Sequence, residues 1–216
     1  MSLIFYHAPM STSSLTEAVI AELGIAVDVV KMDIDAGDTQ APEFLKINPN
    51  GRVPVIVHNG ETIWESAAIT MYLGETFGVA AGLYPPSGPQ RAAAMKWIVW
   101  TNTSLAEAAG RLSAMQMTGS DGAVQEGSVD FIPAELRNQA ALDKAKSDIA
   151  AGLNILDAAL LDQPYLAGDY TIADTHLWVL AGWIASMDID LSAYPNLSDW
   201  IQRCAERPAL ARLFSD

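Results

Sequence analysis

The sequence predicts an α/β unit followed by an all-helical unit, and three observations predict this. Short apolar runs such as residues 2–6 and 53–57 alternate with helical patterns in the first 80 residues. A segment rich in glycine and proline, residues 80–90, then interrupts the pattern. Nearly every segment after it has the apolar spacing of helices. We therefore expect a first domain over residues 1–80 and a helical domain over residues 88–216.

The first unit is predicted to have the order βαβ, a loop and then ββα. Apolar residues on helical spacing and a closing glycine predict the first helix. The Asn59-Gly60 pair predicts a tight hairpin, because both residues tolerate a positive φ. The predicted strands cover residues 2–6, 27–33, 53–57 and 62–64, and the predicted helices cover 13–24, 41–47 and 65–78.

The second unit is predicted to be helical over residues 89–118, 134–161, 172–186 and 196–206, with a loop over 118–133. Thr171 stands three residues before Asp174, ahead of an apolar run. This spacing predicts a variant of the capping box, in which the two side chains bind the first backbone N–H groups of a helix. We expect its role to be structural.

The composition argues against several classes of protein. The net charge is −14, whereas nucleic acids and anionic membranes favour an excess of lysine and arginine. No run of about 18 apolar residues predicts a membrane span, and the first residues resemble a strand more than a signal peptide. Cys204 is the one cysteine, which is consistent with a reducing compartment and predicts a cytoplasmic protein. We expect Cys204 to serve packing.

Four segments occur in an order and spacing that together resemble a soluble glutathione S-transferase: NPNGRVPVIV (48–57), TIWESAAITMYL (62–73), YLAGDYTIADTHLWV (165–179) and YPNLSDWIQRCAERPAL (194–210). The resemblance covers essentially the whole chain. It implies a thioredoxin-like N-terminal domain, an all-helical C-terminal domain and a homodimer. It also implies glutathione as co-substrate, no metal, and a hydrophobic small molecule as second substrate, in a detoxification reaction.

The Val53-Pro54 pair is the candidate edge for binding the backbone of glutathione. An X-Pro bond adopts the cis form at a cost of only about 0.5–1 kcal/mol, and proline at the start of a strand removes no donor from the ladder. The backbone of Val53 could then pair with the cysteinyl part of the tripeptide, like a short added strand. The resemblance implies that this bond is cis; the alternative is an ordinary proline at the start of a strand.

The Glu65-Ser66 pair is the candidate anion pocket, because it lies where a strand ends and a helix begins. Unpaired N–H groups and the helix dipole make such an end favourable for a carboxylate. The resemblance implies that Ser66 binds the γ-glutamyl carboxylate while Glu65 faces the amine. Ser66 can also be an ordinary N-cap, and the two roles are compatible.

The catalytic hydroxyl is expected in the loop after the first strand, because the resemblance places it there. We predict Ser11 first and then Thr12 or Ser13, as in serine-type enzymes of the phi, theta or beta kind. Tyr6 is a rival, although we expect it in the core or at its rim. The alternative is that this hydroxyl-rich run caps the first helix, and we expect Ser13 or Ser14 to do so.

The sequence gives weaker evidence for the remaining candidate site residues. By resemblance, Arg52 and Gln40 could reach the terminal carboxylates of glutathione, although Arg52 alone could be a solvated charge. The three histidines have no metal spacing, and His58 is expected to face solvent. The acceptor pocket is predicted to be lined by apolar and polar side chains that could equally be helix-packing core: Pro9, Met10, Trp97, Trp100, Thr101, Leu105, Met115 and Met117.

The predicted function is transfer of the glutathione thiolate to small hydrophobic electrophiles. Two alternatives remain open. One is a non-catalytic ligand-binding or interaction protein with the same fold. The other is a glutathione-dependent reductase of disulfides or peroxides.

Overall fold

A four-stranded mixed sheet forms the centre of the N-terminal unit. The structure is a computed structural model that describes residues 2–116, 138–187 and 189–213. The strands are β1 (Leu3–His7), β2 (Asp28–Lys31), β3 (Val55–His58) and β4 (Glu61–Trp64), in the spatial order β2-β1-β3-β4. Strand β2 is parallel to β1, whereas β3 is antiparallel to both β1 and β4.

The helices of this unit are α1 (Ser13–Leu23), α2 (Pro42–Ile47) and α3 (Ser66–Leu73). Leu15, Val19 and Ile20 form the buried stripe of α1, and Gly24 ends it with a φ of 62°. Helix α3 does not stop at Gly74. A wider π turn, Gly74–Gly78, continues it.

The helical unit consists of α4 (Pro89–Trp100), α5 (Ala106–Gln116), α6 (Gln139–Ala159), α7 (Ile172–Ala185), α8 (Pro195–Ala205) and α9 (Pro208–Leu213). A π turn, Thr101–Leu105, joins α4 to α5. The predicted loop over 118–133 lies outside the described residues, and α9 was not predicted. In the part of the chain that the structure describes, no helix combines the length and apolarity needed to cross a membrane.

Two local predictions are confirmed. Asn59 and Gly60 have φ values of 52° and 88° at the turn between β3 and β4. The capping box at α7 is complete: the Thr171 hydroxyl accepts a bond from the N–H of Ala173, and the Asp174 carboxylate accepts one from the N–H of Thr171. Local sequence suffices for both features because all partners lie within three residues.

His58 contradicts the prediction that it faces solvent. Its side chain is buried, with 4% of the residue exposed, and its Nδ1 lies 2.7 Å from the hydroxyl of Tyr72 on α3. The alternation along β3 turns this residue toward α3, beneath the ring of Phe77.

The larger of the apolar core clusters among the described residues extends through both units. It contains Phe5, Val19 and Ile69 from the first unit together with Leu177 and Trp200 from the second. Helix α1 packs on α7 and α9, and α3 packs on α4. The end of the sheet near α3 is therefore held against the helical unit.

Candidate functional site

Three chain segments meet at one end of the sheet. Val55, the first residue of β3, pairs with Tyr6 of β1 on one side and with Trp64 of β4 on the other. Because both pairings are antiparallel, the start of β3 lies beside the ends of β1 and β4. The hydroxyl-rich loop after β1, the Val53-Pro54 pair and the Glu65-Ser66 pair therefore share this end.

The Val53-Pro54 peptide bond is cis, as the resemblance implied. The loop before it is held by a residue that the sequence analysis did not single out. Asn48 is buried; its Nδ2 donates to the carbonyl of Arg52 over 2.7 Å, and its Oδ1 accepts from the N–H of Asn50 over 3.0 Å. Asn48 thereby fixes the backbone that leads into Val53.

Gln40 and Arg52 flank this loop and both are exposed. Gln40 Nε2 donates to the carbonyl of Gly51 over 3.1 Å. The φ of 61° at Gly51 favours glycine, and a Cβ there would lie 2.5 Å from that nitrogen, so a larger residue would displace the Gln40 side chain. Gln40 is thus held against the loop that leads into Val53.

Ser13 and Ser11 face into their own loop. Ser13 is fully buried, and its Oγ lies 3.1 Å from the amide nitrogen of Ala8 and 2.7 Å from the carbonyl of Ala8. Ser11 Oγ also lies 2.7 Å from that carbonyl and 2.5 Å from Ser13 Oγ. Both hydroxyls therefore have partners within the loop.

Thr12 differs from Ser11 and Ser13 because it is exposed and faces the Val53-Pro54 segment. Its Oγ1 lies 3.4 Å from the carbonyl of Val53, which is a long and weak contact. Thr12 occupies the N-cap position of α1 but makes no side-chain capping bond. The expectation that Ser13 or Ser14 caps α1 is wrong: both lie inside the helix, and the Ser13 hydroxyl binds Ala8.

Glu65 and Ser66 form the start of α3. Glu65 is exposed and has a φ of 71°, which a residue with a Cβ adopts at some cost in energy. Ser66 is the first residue of α3 and only 3% exposed. Asn102, on the π turn before α5, donates through Nδ2 to Ser66 Oγ over 2.7 Å.

Asn102 extends this contact into the core. Its Oδ1 lies 2.8 Å from Nε2 of His176 on α7, and Nδ1 of His176 lies 2.9 Å from the hydroxyl of Thr70 on α3. Burial lowers the pKa of His176 to about 3, so the imidazole is neutral at physiological pH. Sequence reasoning missed Asn102 and set His176 aside, and no local pattern marks either residue.

The predicted acceptor wall divides into two groups. Pro9 and Met10 are exposed beside the hydroxyl loop, Met10 to 97%. Trp97, Thr101 and Leu105 are instead buried in the helical unit. Trp97 Nε1 donates to the carbonyl of Leu166 over 2.9 Å, and the Thr101 hydroxyl donates to the carbonyl of Trp97 over 2.8 Å. The structure gives these three side chains the packing role that was the alternative interpretation.

Trp100 and Leu105 also line a cleft of about 320 Å³ between α5 and α6, which holds the ion pair of Arg111 with Asp148 at 3.0 Å. Met115 is half-buried near the end of α5, and Met117 lies outside the described residues.

Two further candidate residues, Tyr6 and Cys204, pack against the interior of the protein. Tyr6 packs on Phe44, with ring centroids 5.6 Å apart, at the rim of a small core cluster. Cys204 is fully buried, and burial raises the pKa of its thiol. Cys204 therefore serves packing, as predicted. Within residues 2–116, 138–187 and 189–213, no cluster of three or more His, Cys, Asp or Glu side chains could hold a metal ion.

Comparison with known proteins defines the family. Residues 1–75 match the model of the glutathione S-transferase N-terminal domain, and residues 120–208 match that of the C-terminal domain. Glutathione S-transferase D7 of Drosophila melanogaster is 30% identical over 203 residues, which cover 93% of this chain and 83% of that protein. The chain belongs to the glutathione S-transferase family.

Two other relatives are informative. The disulfide-bond oxidoreductase YfcG of Escherichia coli strain K12 is 27% identical over 212 residues, which cover 94% of this chain and 90% of that protein. A sphingomonad glutathione S-transferase, solved in complex with glutathione, superposes with a TM-score of 0.79 at 25% identity and covers 98% of this chain and 97% of that one. The predicted fold, thioredoxin-like and then all-helical, is confirmed; the boundary at residues 80–88 stays a prediction.

Proposed function

We propose that this protein binds glutathione at the sheet end described above and transfers its thiolate to small hydrophobic electrophiles. The observation that carries the proposal is the convergence of Thr12, Val53 and Ser66 on that end, through the pairing of Val55 with Tyr6 and Trp64. The three segments offer a hydroxyl, a backbone edge and a helix N-terminus. Glutathione needs all three, since it carries a thiol, peptide groups and carboxylates.

In this proposal each part of glutathione has one partner. The cysteinyl backbone pairs with Val53, as a strand pairs with an edge. The γ-glutamyl carboxylate binds the first N–H groups of α3 and the Ser66 hydroxyl, while the exposed Glu65 faces the amine. Arg52, on the loop before Val53, and Gln40, which donates to the carbonyl of Gly51 in that loop, face the glycyl end.

The thiolate partner in this proposal is Thr12, ahead of Ser11 and Ser13. The Ser11 and Ser13 hydroxyls are bonded to Ala8, so either would have to break a short bond before donating to a sulfur. Among the residues that the structure describes, the Thr12 hydroxyl has only the 3.4 Å contact to the Val53 carbonyl. A charge-assisted bond of about 1.5–3 kcal/mol lowers a thiol pKa by roughly one to two units.

The acceptor pocket would start at the exposed Pro9 and Met10. We also propose that the molecule is a cytoplasmic homodimer, as is common for this family, and that its two domains meet at residues 80–88. These proposals rest on the family and on the sequence.

A second candidate is glutathione-dependent reduction of disulfides, because the oxidoreductase YfcG is among the relatives. The hydroxyl loop contains no cysteine, and Cys204 is buried. Reduction would therefore consume two glutathione molecules: the first thiolate attacks the disulfide and releases one thiol, and the second releases the other thiol and leaves oxidised glutathione.

The test combines calorimetric binding of glutathione with two assays, conjugation to 1-chloro-2,4-dinitrobenzene and reduction of hydroxyethyl disulfide. The variants are Thr12→Val, Ser11→Ala, Ser13→Ala and Tyr6→Phe. We expect Thr12→Val to lower the rate at neutral pH about 10- to 100-fold and to move the pH–rate profile upward, with little change in affinity.

If the pH–rate profile shifts for Ser11→Ala alone, Ser11 stabilises the thiolate. If it shifts for Tyr6→Phe alone, no hydroxyl of the loop after β1 stabilises the thiolate. Turnover of the disulfide without thioether formation would select the second candidate. Absence of glutathione binding at millimolar concentration would overturn the proposal.

A further inference from the structure

Four polar side chains support the start of α3 from the helical unit, and together with the turn of α3 between Ser66 and Thr70 they form a ring. Ser66 and Thr70 lie one turn apart on α3, and Asn102 and His176 bridge them. We propose that Asn102 and His176 are positioning residues that orient the Ser66 hydroxyl as a donor toward the γ-glutamyl carboxylate. This inference rests on the proposed function.

The ring is well shielded from water. Thr70 and His176 are fully buried, and Ser66 is 3% exposed. The three contacts measure 2.7, 2.8 and 2.9 Å, within the range of good hydrogen bonds. A neutral ring of this kind has two possible proton directions, because the imidazole carries one N–H and the amide can be turned over.

The buried hydroxyl of Thr70 decides between the two directions. Among the described residues, His176 Nδ1 is the hydrogen-bonding partner of Thr70 Oγ1. If Nδ1 carried the proton, the Thr70 hydroxyl would have to accept, and its own hydrogen would be buried without an acceptor, at a cost in free energy. Thr70 therefore donates to Nδ1, and His176 carries its proton on Nε2.

The proton on Nε2 of His176 fixes the direction of the other hydrogen bonds in the ring. Nε2–H of His176 donates to Oδ1 of Asn102, so the amide group of Asn102 must present Nδ2 to Ser66. The oxygen of Ser66 is then an acceptor within the ring, and the ring does not use the Ser66 hydrogen. In the opposite direction Ser66 would donate to Asn102 and could offer a ligand only its lone pairs.

The direction of the hydrogen bonds in the ring thus suits a carboxylate ligand. A carboxylate accepts hydrogen bonds, and a hydroxyl that already accepts one bond from Asn102 is held ready to donate its own. Because Asn102 lies on the π turn between α4 and α5, the helical unit sets the polarity of a site in the α/β unit.

The test replaces Asn102 by Asp, which keeps the shape but can only accept from Ser66. Calorimetry would compare glutathione with 4-aminobutyryl-Cys-Gly, the analogue without the γ-glutamyl α-carboxylate. We expect Asn102→Asp to weaken glutathione binding about 10- to 100-fold and analogue binding less than about threefold. Asn154→Asp, the same change at an exposed position on α6, is the matched control and should change neither affinity.

A second comparison separates hydroxyl orientation from simple charge repulsion. In a Ser66→Ala background the hydroxyl is absent, so the penalty of Asn102→Asp for glutathione should fall by at least about threefold. Equal penalties in both backgrounds, or equal weakening of both ligands, would overturn the inference.

Thermal unfolding of each variant would check that the fold is retained. Should Asn102→Asp fail to fold, Asn102→Ala gives the same comparison. It frees the hydroxyl, so it should weaken glutathione binding more than analogue binding, and equal changes would overturn the inference. If Ser66→Ala weakens binding and neither Asn102 variant does, this inference fails while the proposed function stands. If the wild-type protein binds no glutathione, both fail.

Discussion

Replacing His176 by Gln is expected to remove a large pH-dependent part of the free energy of unfolding. His176 is fully buried between Thr70 and Asn102, and burial lowers its pKa to about 3. In the unfolded chain a histidine has a pKa of about 6.5. Below that pH the unfolded state takes up a proton that the folded state does not bind, so the protein loses stability as the pH falls from about 6.5 toward 3.

The magnitude follows from the two pKa values. Each pH unit below the unfolded pKa costs about 1.4 kcal/mol, so the contribution changes by about 2 kcal/mol between pH 7 and pH 5. Urea unfolding of the wild type and of His176→Gln at both pH values would measure it. Glutamine has an amide N–H for Asn102 and no titrating group, so the variant should lose about 2 kcal/mol less than the wild type on acidification.

Thr70→Val is the control for this prediction. It breaks the same ring but leaves the imidazole buried, so it should keep the pH dependence of the wild type while lowering stability at both pH values. Equal losses in the wild type and in His176→Gln would refute the reasoning, because the histidine would then have similar pKa values in the folded and unfolded states.

Two further predictions concern packing and charge. Gly152→Ala on α6 should cost about 1–3 kcal/mol in urea unfolding, because the new methyl would lie 2.8 Å from Leu105 Cδ1. At Gly182 on α7 a new Cβ would have no atom of the described residues within 4 Å, so Gly182→Ala should raise the free energy of unfolding by about 0.5–1 kcal/mol. Equal effects of the two changes would contradict the close approach at Gly152. Arg207→Ala should cost about 3–5 kcal/mol, because it leaves the carboxylate of Glu22, whose side chain is 4% exposed, without its charged partner. A loss below about 1 kcal/mol would show that the Glu22 carboxylate reaches water once Arg207 is removed.

Local patterns were sufficient for most of the secondary structure. Asn59 and Gly60 determine the hairpin through their tolerance of positive φ, and Thr171 and Asp174 determine the start of α7 through contacts three residues apart. At Val53 and Ser66 the local sequence allowed a cis bond and a helix N-terminus, whereas the expectation that they bind glutathione came from the resemblance to a family. The fold class followed from the order of these patterns.

The sequence by itself therefore determined most of the elements and their order, although not α9 or the break between α4 and α5, and the resemblance indicated the segments that meet at the sheet end. The tertiary structure alone decided which side chains are available there. The hydroxyls of Ser11 and Ser13 bind the carbonyl of Ala8, and the indole of Trp97 donates to the carbonyl of Leu166. Asn102 binds Ser66, which lies 36 residues away in the chain. The physical reason is that a hydroxyl, an indole or an amide has similar local preferences wherever it stands, whereas its hydrogen-bond partner depends on which distant helix packs against it.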